Sequence, residues 1–117
     1  MVIFTGSDWS PRSITLDKNI LEHAVVEELI IQSFVPVLVD FPQRVKLSES
    51  ARSANLTVAE RFSVTYFPTV LALRADGTEI GRLGYENESA EAMEKLLSKW
   101  SKSQGSKAVP LVKPLAR

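Results

Sequence analysis

The chain alternates short β-rich apolar runs with longer segments of helical spacing, and this alternation constrains the fold more than any other feature. The segment between the runs at 2–5 and 36–41 is long enough for a crossover helix between parallel strands. In chain order, the predicted elements are strand 2–5, a helix from Ser10 to about Gln32, strand 36–41, helix 50–62, strand 69–74, strand 79–83 and a helix from Ser89 to about Lys102. This order predicts an α/β fold with a mixed four-stranded sheet flanked by helices.

The first helical segment has a well-marked start. Ser10 can offer its side-chain oxygen to the free amides of the first turn, and Pro11 suits the first helical position because it has no amide to leave unpaired. Apolar residues then recur at three- and four-residue spacing: Ile14, Leu16, Ile20, Leu21, Ala24, Val25, Leu29 and Ile30. The spacing predicts one long amphipathic helix with an irregularity near Asn19.

The later elements have local signals of their own. The continuous apolar stretch at 36–41 is typical of a parallel strand that is covered on both faces. Asp76-Gly77 predicts a hairpin turn between the last two strands, because glycine adopts positive φ without strain. The side chains that helix 50–62 is expected to bury are Ala51, Ala54, Leu56 and Ala59.

Composition and charge exclude several kinds of site. The 117 residues contain no cysteine, which excludes disulfides, thiolate metal ligands and thiol chemistry. The 14 basic and 14 acidic side chains cancel, so neither nucleic acid nor an anionic membrane is an expected partner. No apolar run reaches the ~18 residues that span a bilayer. No metal or cofactor is expected either, since His23 is the only histidine and the glycines form no phosphate loop.

Four segments resemble, in the same order, the motifs of one known family. Residues 4–13 read F-T-G-S-D-W-S-P-R-S, similar to the F-T-G-S-D-W-C-x-x-C active-site segment of exported bacterial thioredoxin-like thiol-disulfide oxidoreductases. Residues 39–42 (V-D-F-P) match a strand end of that family, and residues 64–70 (V-T-Y-F-P-T-V) are similar to its cis-proline segment. Residues 76–77 and 81–85 match its closing hairpin. Together the four identify a member of the thioredoxin-like superfamily over about residues 2–100.

Serine stands at both positions where this family has its cysteines, Ser10 and Ser13. In active members, the first cysteine attacks a substrate disulfide as a thiolate, and the second resolves the mixed disulfide. A serine hydroxyl stays protonated at neutral pH and forms no disulfide. The resemblance therefore makes Ser10 and Ser13 the catalytic positions, but the chain is expected to be redox-inactive as written.

The resemblance also implies a groove for extended polypeptide. In the family, the backbone before the cis-proline pairs with an extended substrate, and this pairing needs no thiol. It assigns binding roles to Trp9, Pro11, Phe67, Pro68 and Thr69. The residues alone leave simpler roles open: Trp9 as a loop aromatic packed on helix 50–62, and Pro68 as an ordinary proline at the start of a strand.

Three functions follow from these residues. The first is a redox-inactive thioredoxin-like domain that binds extended or unfolded polypeptide. The second is an engineered Cys-to-Ser variant of an active thiol:disulfide interchange protein. The third is a Ser-dependent hydrolase, which needs a base within hydrogen-bond reach of the serine. His23 would lie ~20 Å from Ser10 along the predicted helix, which disfavours this third function.

The two ends of the chain carry further expectations. The family usually has another strand and helix before strand 2–5, and without them strand 36–41 is a sheet edge free to pair with a partner. A trimmed N-terminus would explain both this lack and the absence of a signal peptide after Met1, although the resemblance implies an exported or periplasmic protein. The domain is predicted over 1–100, followed by a flexible basic tail at 101–117. The sequence leaves the oligomeric state open.

Overall fold

The computed structural model of the chain describes residues 1–104, which form one four-stranded sheet and four α-helices. In chain order, the elements are β1 (Val2–Thr5), α1 (Pro11–Leu16), a π-helical segment (Asp17–Leu21), α2 (Ala24–Ser33), β2 (Val37–Asp40), α3 (Glu49–Arg61), β3 (Thr69–Leu73), β4 (Glu79–Gly84) and α4 (Ala90–Gln104). The strand order is β2-β1-β3-β4. β1 and β2 are parallel, whereas β3 is antiparallel to both of its neighbours. The predicted mixed α/β sheet is confirmed.

Helices cover the two faces of the sheet and form two apolar layers. Ile3 of β1 points into the larger layer, where it packs with residues of α1, α2 and α4. Phe4, the next residue, points into the smaller layer, which contains Val39 of β2 and Ala59 of α3. This alternation follows from the two-residue period of a strand. It makes the start of the chain a central, fully covered strand.

The prediction of one helix from Ser10 to Gln32 is wrong, because the structure divides this segment into α1 and α2. The π-helical segment follows α1 and contains Asn19, where an irregularity was expected. His23 is then extended, with φ −70° and ψ 123°, and begins α2. The two helices are therefore separate elements that pack independently on the sheet.

The break changes which side chains reach the core. Ile20 and Val26 are both buried, and the gap between them is longer than the three- or four-residue spacing of one continuous helix face. A continuous helix would have brought the charged Glu27 to the buried face after Ile20. Instead Val26 is buried, and Val25, which the spacing had placed in the apolar stripe, is 56 % exposed.

α3 has nearly the predicted bounds but a different buried face. Ser48 caps it by accepting a hydrogen bond from the Ala51 amide at 3.2 Å. Ala59 is buried as expected, whereas Ala54 and Leu56 are exposed, so this part of the prediction is wrong. The face that packs on the sheet contains Val58, Ala59 and Phe62. Alanine occurs on both the buried and the exposed face of this helix, so composition did not distinguish the faces.

β2 forms one edge of the described sheet, as predicted. Its side chains cover both faces, because Leu38 packs in the larger layer and Val39 in the smaller one. α3 reaches this edge, where the Asn55 side-chain amide donates to the Asp40 carbonyl at 2.9 Å. Pairing of this edge with a partner strand stays a prediction.

The hairpin and the last helix follow the sequence signals. Gly77 has φ +86° in the turn between β3 and β4, where a side chain would be strained. Ser89 precedes α4 and accepts from the Ala92 amide at 3.1 Å. α4 continues to Gln104, so residues 101–104 of the predicted tail are helical, and the rest of that tail lies outside the described residues. None of the helices described here is long and apolar enough to cross a membrane.

Candidate functional site

The site begins where the chain leaves β1 and turns into α1. The carbonyl of Gly6 accepts from the amides of Trp9 (3.3 Å) and Ser10 (2.9 Å), which closes a tight turn. Ser10 is the N-cap of α1 with extended backbone, and Pro11 is the exposed first helical residue. This start of the helix was predicted from the Ser-Pro pair, and it is confirmed.

The two serines lie under the turn and are almost fully buried, at 5 % exposure for Ser10 and 2 % for Ser13. The Ser10 hydroxyl oxygen accepts from the Ser13 amide at 3.3 Å. The Ser13 hydroxyl oxygen accepts from the Gly6 amide at 3.1 Å. Both side chains thus satisfy buried backbone amides, whose unpaired burial would be costly. We refer to Ser10 and Ser13 as the serine pair.

The serine pair lacks the partner that a hydrolase needs. His23 is exposed and begins α2, beyond the π-helical segment. Within residues 1–104, no hydrogen bond joins the imidazole to either serine. The described residues also contain no group of three potential metal ligands. The structure therefore gives no support to a nucleophilic serine.

Three aromatic side chains lie above the turn and form what we call the aromatic patch: Trp9, Phe41 and Phe67. The Trp9 ring meets Phe67 edge-on, with centroids 6.1 Å apart, and Phe41 stacks on Phe67 at 5.2 Å. The Trp9 indole nitrogen donates to the Phe41 carbonyl at 2.7 Å. All three residues are half-buried, and Phe41 and Phe67 also pack against the smaller apolar layer.

Glycine makes this position of Trp9 possible. A Cβ on Gly6 would lie 2.5 Å from Cε2 of the indole, closer than real Cβ atoms approach a neighbour. Gly6 therefore contacts both regions: its amide binds the serine pair, and its Cα lies against the aromatic patch. The neighbours shown for the Trp9 ring are Gly6 and Phe67, and its packing on helix 50–62 stays a prediction.

The Phe67–Pro68 segment approaches the patch from the other side. The peptide bond between these residues is cis. Pro68 and Thr69 are buried, and the Thr69 hydroxyl donates to the Tyr66 carbonyl at 2.6 Å. Among residues 1–104, no hydrogen bond uses the backbone amide or carbonyl of Phe67. Of the predicted binding residues, Trp9 and Phe67 are thus in contact. Pro11 is exposed and close to Trp9 in sequence. Pro68 and Thr69 are buried.

Two further contacts were not predicted from the sequence. The Arg12 guanidinium lies 5.7 Å from the centre of the Tyr66 ring, which links α1 to the proline segment. The Asp8 carboxylate accepts from the amides of Gln43, Arg44 and Val45 at 2.9, 2.9 and 3.2 Å. The hydrogen bond from Gln43, followed by those from Arg44 and Val45, holds the pKa of Asp8 below its ordinary value. No local pattern indicates either contact, since the partners are far apart in sequence.

In thioredoxin-like proteins, a proline segment faces the start of the first helix, with a crossover, a hairpin and a last helix around it. The chain has this arrangement. A family profile described as "Thioredoxin-like domain" matches residues 1–101. The chain therefore belongs to the thioredoxin-like domain family.

The chain is similar to two proteins of one organism. The chain is 32 % identical over 85 residues to "Disulfide bond reductase DsbH" of Chlamydia pneumoniae, which covers 73 % of this chain and 51 % of that protein. It is 30 % identical over 90 residues to "Thioredoxin-related protein DsbJ" of the same organism, which covers 76 % of this chain and 26 % of that protein. The chain thus spans about half the length of one relative and a quarter of the other.

A solved structure confirms the fold. "DsbH Oxidoreductase" superposes with a TM-score of 0.79 at 29 % identity, covering 86 % of this chain and 70 % of that chain. These relatives carry names of disulfide chemistry, whereas the 117 residues described in the sequence contain no cysteine. The family resemblance inferred from the four motifs is confirmed.

Proposed function

We propose that this domain binds extended polypeptide at the aromatic patch without thiol-disulfide exchange. The observation that carries the proposal is the free backbone of Phe67 beside half-buried Trp9 and Phe41. An extended chain could pair with that backbone while its side chains contact the rings. Aromatic rings with little rotamer freedom are effective contact surfaces for a polypeptide.

The serine pair supports the absence of exchange in this proposal. Exchange needs a thiolate and a second thiol, and hydroxyl groups supply neither. Both hydroxyls are instead used by backbone amides at the start of α1. A buried pair that stabilises the turn would keep the aromatic patch in place for binding.

The test is binding of a fluorescein-labelled unfolded peptide, followed by anisotropy. Phe67→Ala should weaken binding about tenfold, because the patch loses its central ring. Phe62→Ala is the matched control, since Phe62 is also half-buried but lies at the end of α3. Equal affinities for the two variants would overturn the proposal.

A second readout uses the intrinsic fluorescence of Trp9. In a Trp100→Phe background, Trp9 is the remaining indole of the chain. Its emission should change as peptide is added, because the indole lies in the patch. A flat titration up to high micromolar peptide would count against binding at this position.

A second candidate function is favoured by the names of the relatives, one a reductase and one an oxidoreductase. In this alternative, the serines are engineered replacements in an active thiol:disulfide interchange protein. Reading the source gene at codons 10 and 13 distinguishes the two. Cysteine codons would establish the alternative, whereas serine codons would leave polypeptide binding as the function.

A further inference from the structure

Trp9 also borders a second surface, on the side of α3. A groove of about 800 Å³ lies between the loop after β2 and α3. We call it the Trp9–α3 groove, and its lining includes Trp9, Val45, Lys46, Leu47, Arg52 and Leu56. Because Trp9 belongs both to this groove and to the aromatic patch, a chain bound at the patch can continue into it.

The lining of the groove includes exposed apolar side chains beside polar ones. Val45 is 65 % exposed and Leu56 is 43 % exposed, and they approach the groove from the loop and from α3 respectively. Together with the Trp9 ring they offer a place for one apolar side chain. Exposed apolar residues that line one concavity indicate an interaction surface more than scattered ones do.

The rim of the groove is basic in an otherwise acidic domain. Lys46 and Arg52 line it, and neither forms an ion pair within residues 1–104. Glu49 is the acidic residue of the lining. All acidic residues of the chain, but not all of its basic ones, lie in residues 1–104, so the domain as a whole is negative. Two unpaired cations at one groove therefore favour an acidic ligand.

The groove is held in shape without a ligand. Asp8 binds three successive amides of the loop, from Gln43 to Val45. The Trp9 indole fixes the start of the loop through the Phe41 carbonyl. Ser48 caps α3, which forms the opposite wall. A preformed surface loses less conformational entropy when a ligand binds.

We propose that the Trp9–α3 groove selects the polypeptide that the domain binds. An apolar side chain of the ligand lies between Val45 and Leu56, and an adjacent acidic side chain pairs with Lys46 and Arg52. The inference rests on the proposed function and adds a sequence preference to it: segments in which an apolar residue precedes acidic residues.

Three fluorescein-labelled peptides of equal length test this preference on the 117-residue chain. Each has the same apolar anchor, followed by two aspartates, two serines or two lysines. The aspartate peptide should bind about fivefold more tightly than the serine peptide, and the lysine peptide more weakly. The difference should shrink at high salt, since exposed charges are screened.

Charge reversal then locates the preference. Arg52→Glu should abolish the preference for aspartate, whereas Lys99→Glu makes the same charge change on the exposed side of α4 and should leave it unchanged. Leu56→Ser should weaken all three peptides about threefold, because the anchor loses an apolar contact. Val25→Ser is its control, as Val25 is also an exposed apolar residue but lies on α2.

The outcomes separate the two proposals. If Phe67→Ala weakens all peptides but Arg52→Glu leaves the aspartate preference intact, the groove proposal is overturned and the proposed function stands. Arg12 lies beside Tyr66, outside the groove lining. If the preference for aspartate disappears in Arg12→Glu, the acidic side chain binds outside the Trp9–α3 groove, and the groove proposal is also overturned. If no peptide binds the unchanged chain, both proposals fail.

Discussion

Gly6 lies between two regions that differ in what their side chains contact. Below it, the serine pair is buried and both hydroxyls bind backbone amides of the same turn. Above it, the aromatic patch is half-buried, and the backbone of Phe67 is free within the described residues. The serine pair is thus part of the buried scaffold, whereas Trp9 and Phe67 are half-buried. Pro68 and Thr69, which the resemblance also assigns to binding, are buried as well.

In the proposed function, reactivity and recognition depend on different atoms of this site. Exchange chemistry requires sulfur at two positions and is lost when both are oxygen. Recognition requires ring surfaces and a free backbone, and serine at Ser10 or Ser13 removes neither. Gly6 is the point where the regions meet, since it contacts Ser13 through its amide and Trp9 through its Cα.

The largest expected effect comes from restoring sulfur to the lower region. The double variant Ser10→Cys, Ser13→Cys should form a reducible disulfide, because three-residue spacing in a first helical turn brings the side chains together. It should reduce insulin above the dithiothreitol background, whereas the unchanged chain and both single variants should not. A double variant that neither oxidises nor reduces a disulfide would contradict the assignment of these positions.

Gly6→Ala should disturb both regions at once. Its Cβ would lie 2.5 Å from the Trp9 ring, so the indole must move. Such overpacking costs about 1–3 kcal/mol of unfolding free energy, and peptide binding should fall with it. Gly81→Ala is a matched control, since its Cβ would clash with Trp100 in the core. It should lose similar stability in urea but keep its affinity for peptide, and a parallel loss of both properties would break the comparison.

Ser13→Ala should affect stability more than binding. The Gly6 amide would lose its buried acceptor, which costs about 1–2 kcal/mol. The exposed Ser53→Ala provides the baseline for urea unfolding. If Ser13→Ala is as stable as that control, the hydroxyl does not support the turn as its geometry indicates.

Asp8 should give the smallest effect, and one that depends on pH. Its pKa is lowered from the ordinary value of 3.8, chiefly by the Gln43 amide, so the folded state favours the carboxylate. The stabilisation is therefore present above the unfolded pKa and is lost as the pH falls through the lower folded pKa. The gap in unfolding free energy between the unchanged chain and Asp8→Ala should therefore narrow as the pH falls below the ordinary value of 3.8. A gap that stays constant would show that the carboxylate charge is not what holds the loop.

Local signals predicted the helix starts at Ser10 and Ser89, missed the start of α2, and predicted the helix faces less well. Ser10, Ser48 and Ser89 each precede a helix and each accepts from an amide of its first turn. Such caps are short-range interactions, so neighbouring residues suffice to reveal them. By contrast, Val26 instead of Val25 is buried because α2 is re-phased after the π-helical segment. Packing on the sheet decides that phase, and a spacing rule for one straight helix misses it.

The site residues also divide into those that the sequence predicted and those that it missed. Trp9 and Phe67 were predicted from the family motifs that contain them, and the structure places them in contact. Phe41 and Asp8 were missed as site residues, since they join the site through contacts with residues about thirty positions away along the chain. Only the return of β2 beside β1 brings the loop after β2 next to the turn after β1.

The sequence by itself determined the order of the four strands, the family and the absence of thiol chemistry. These depend on residue identity and on short spacings, which folding does not alter. The tertiary structure alone decided that the serines are buried as backbone acceptors, that three rings form one patch, and that Val45 and Leu56 line one groove. These arrangements depend on contacts between distant segments, because the sheet sets which loops are neighbours and the core sets which side chains remain outside.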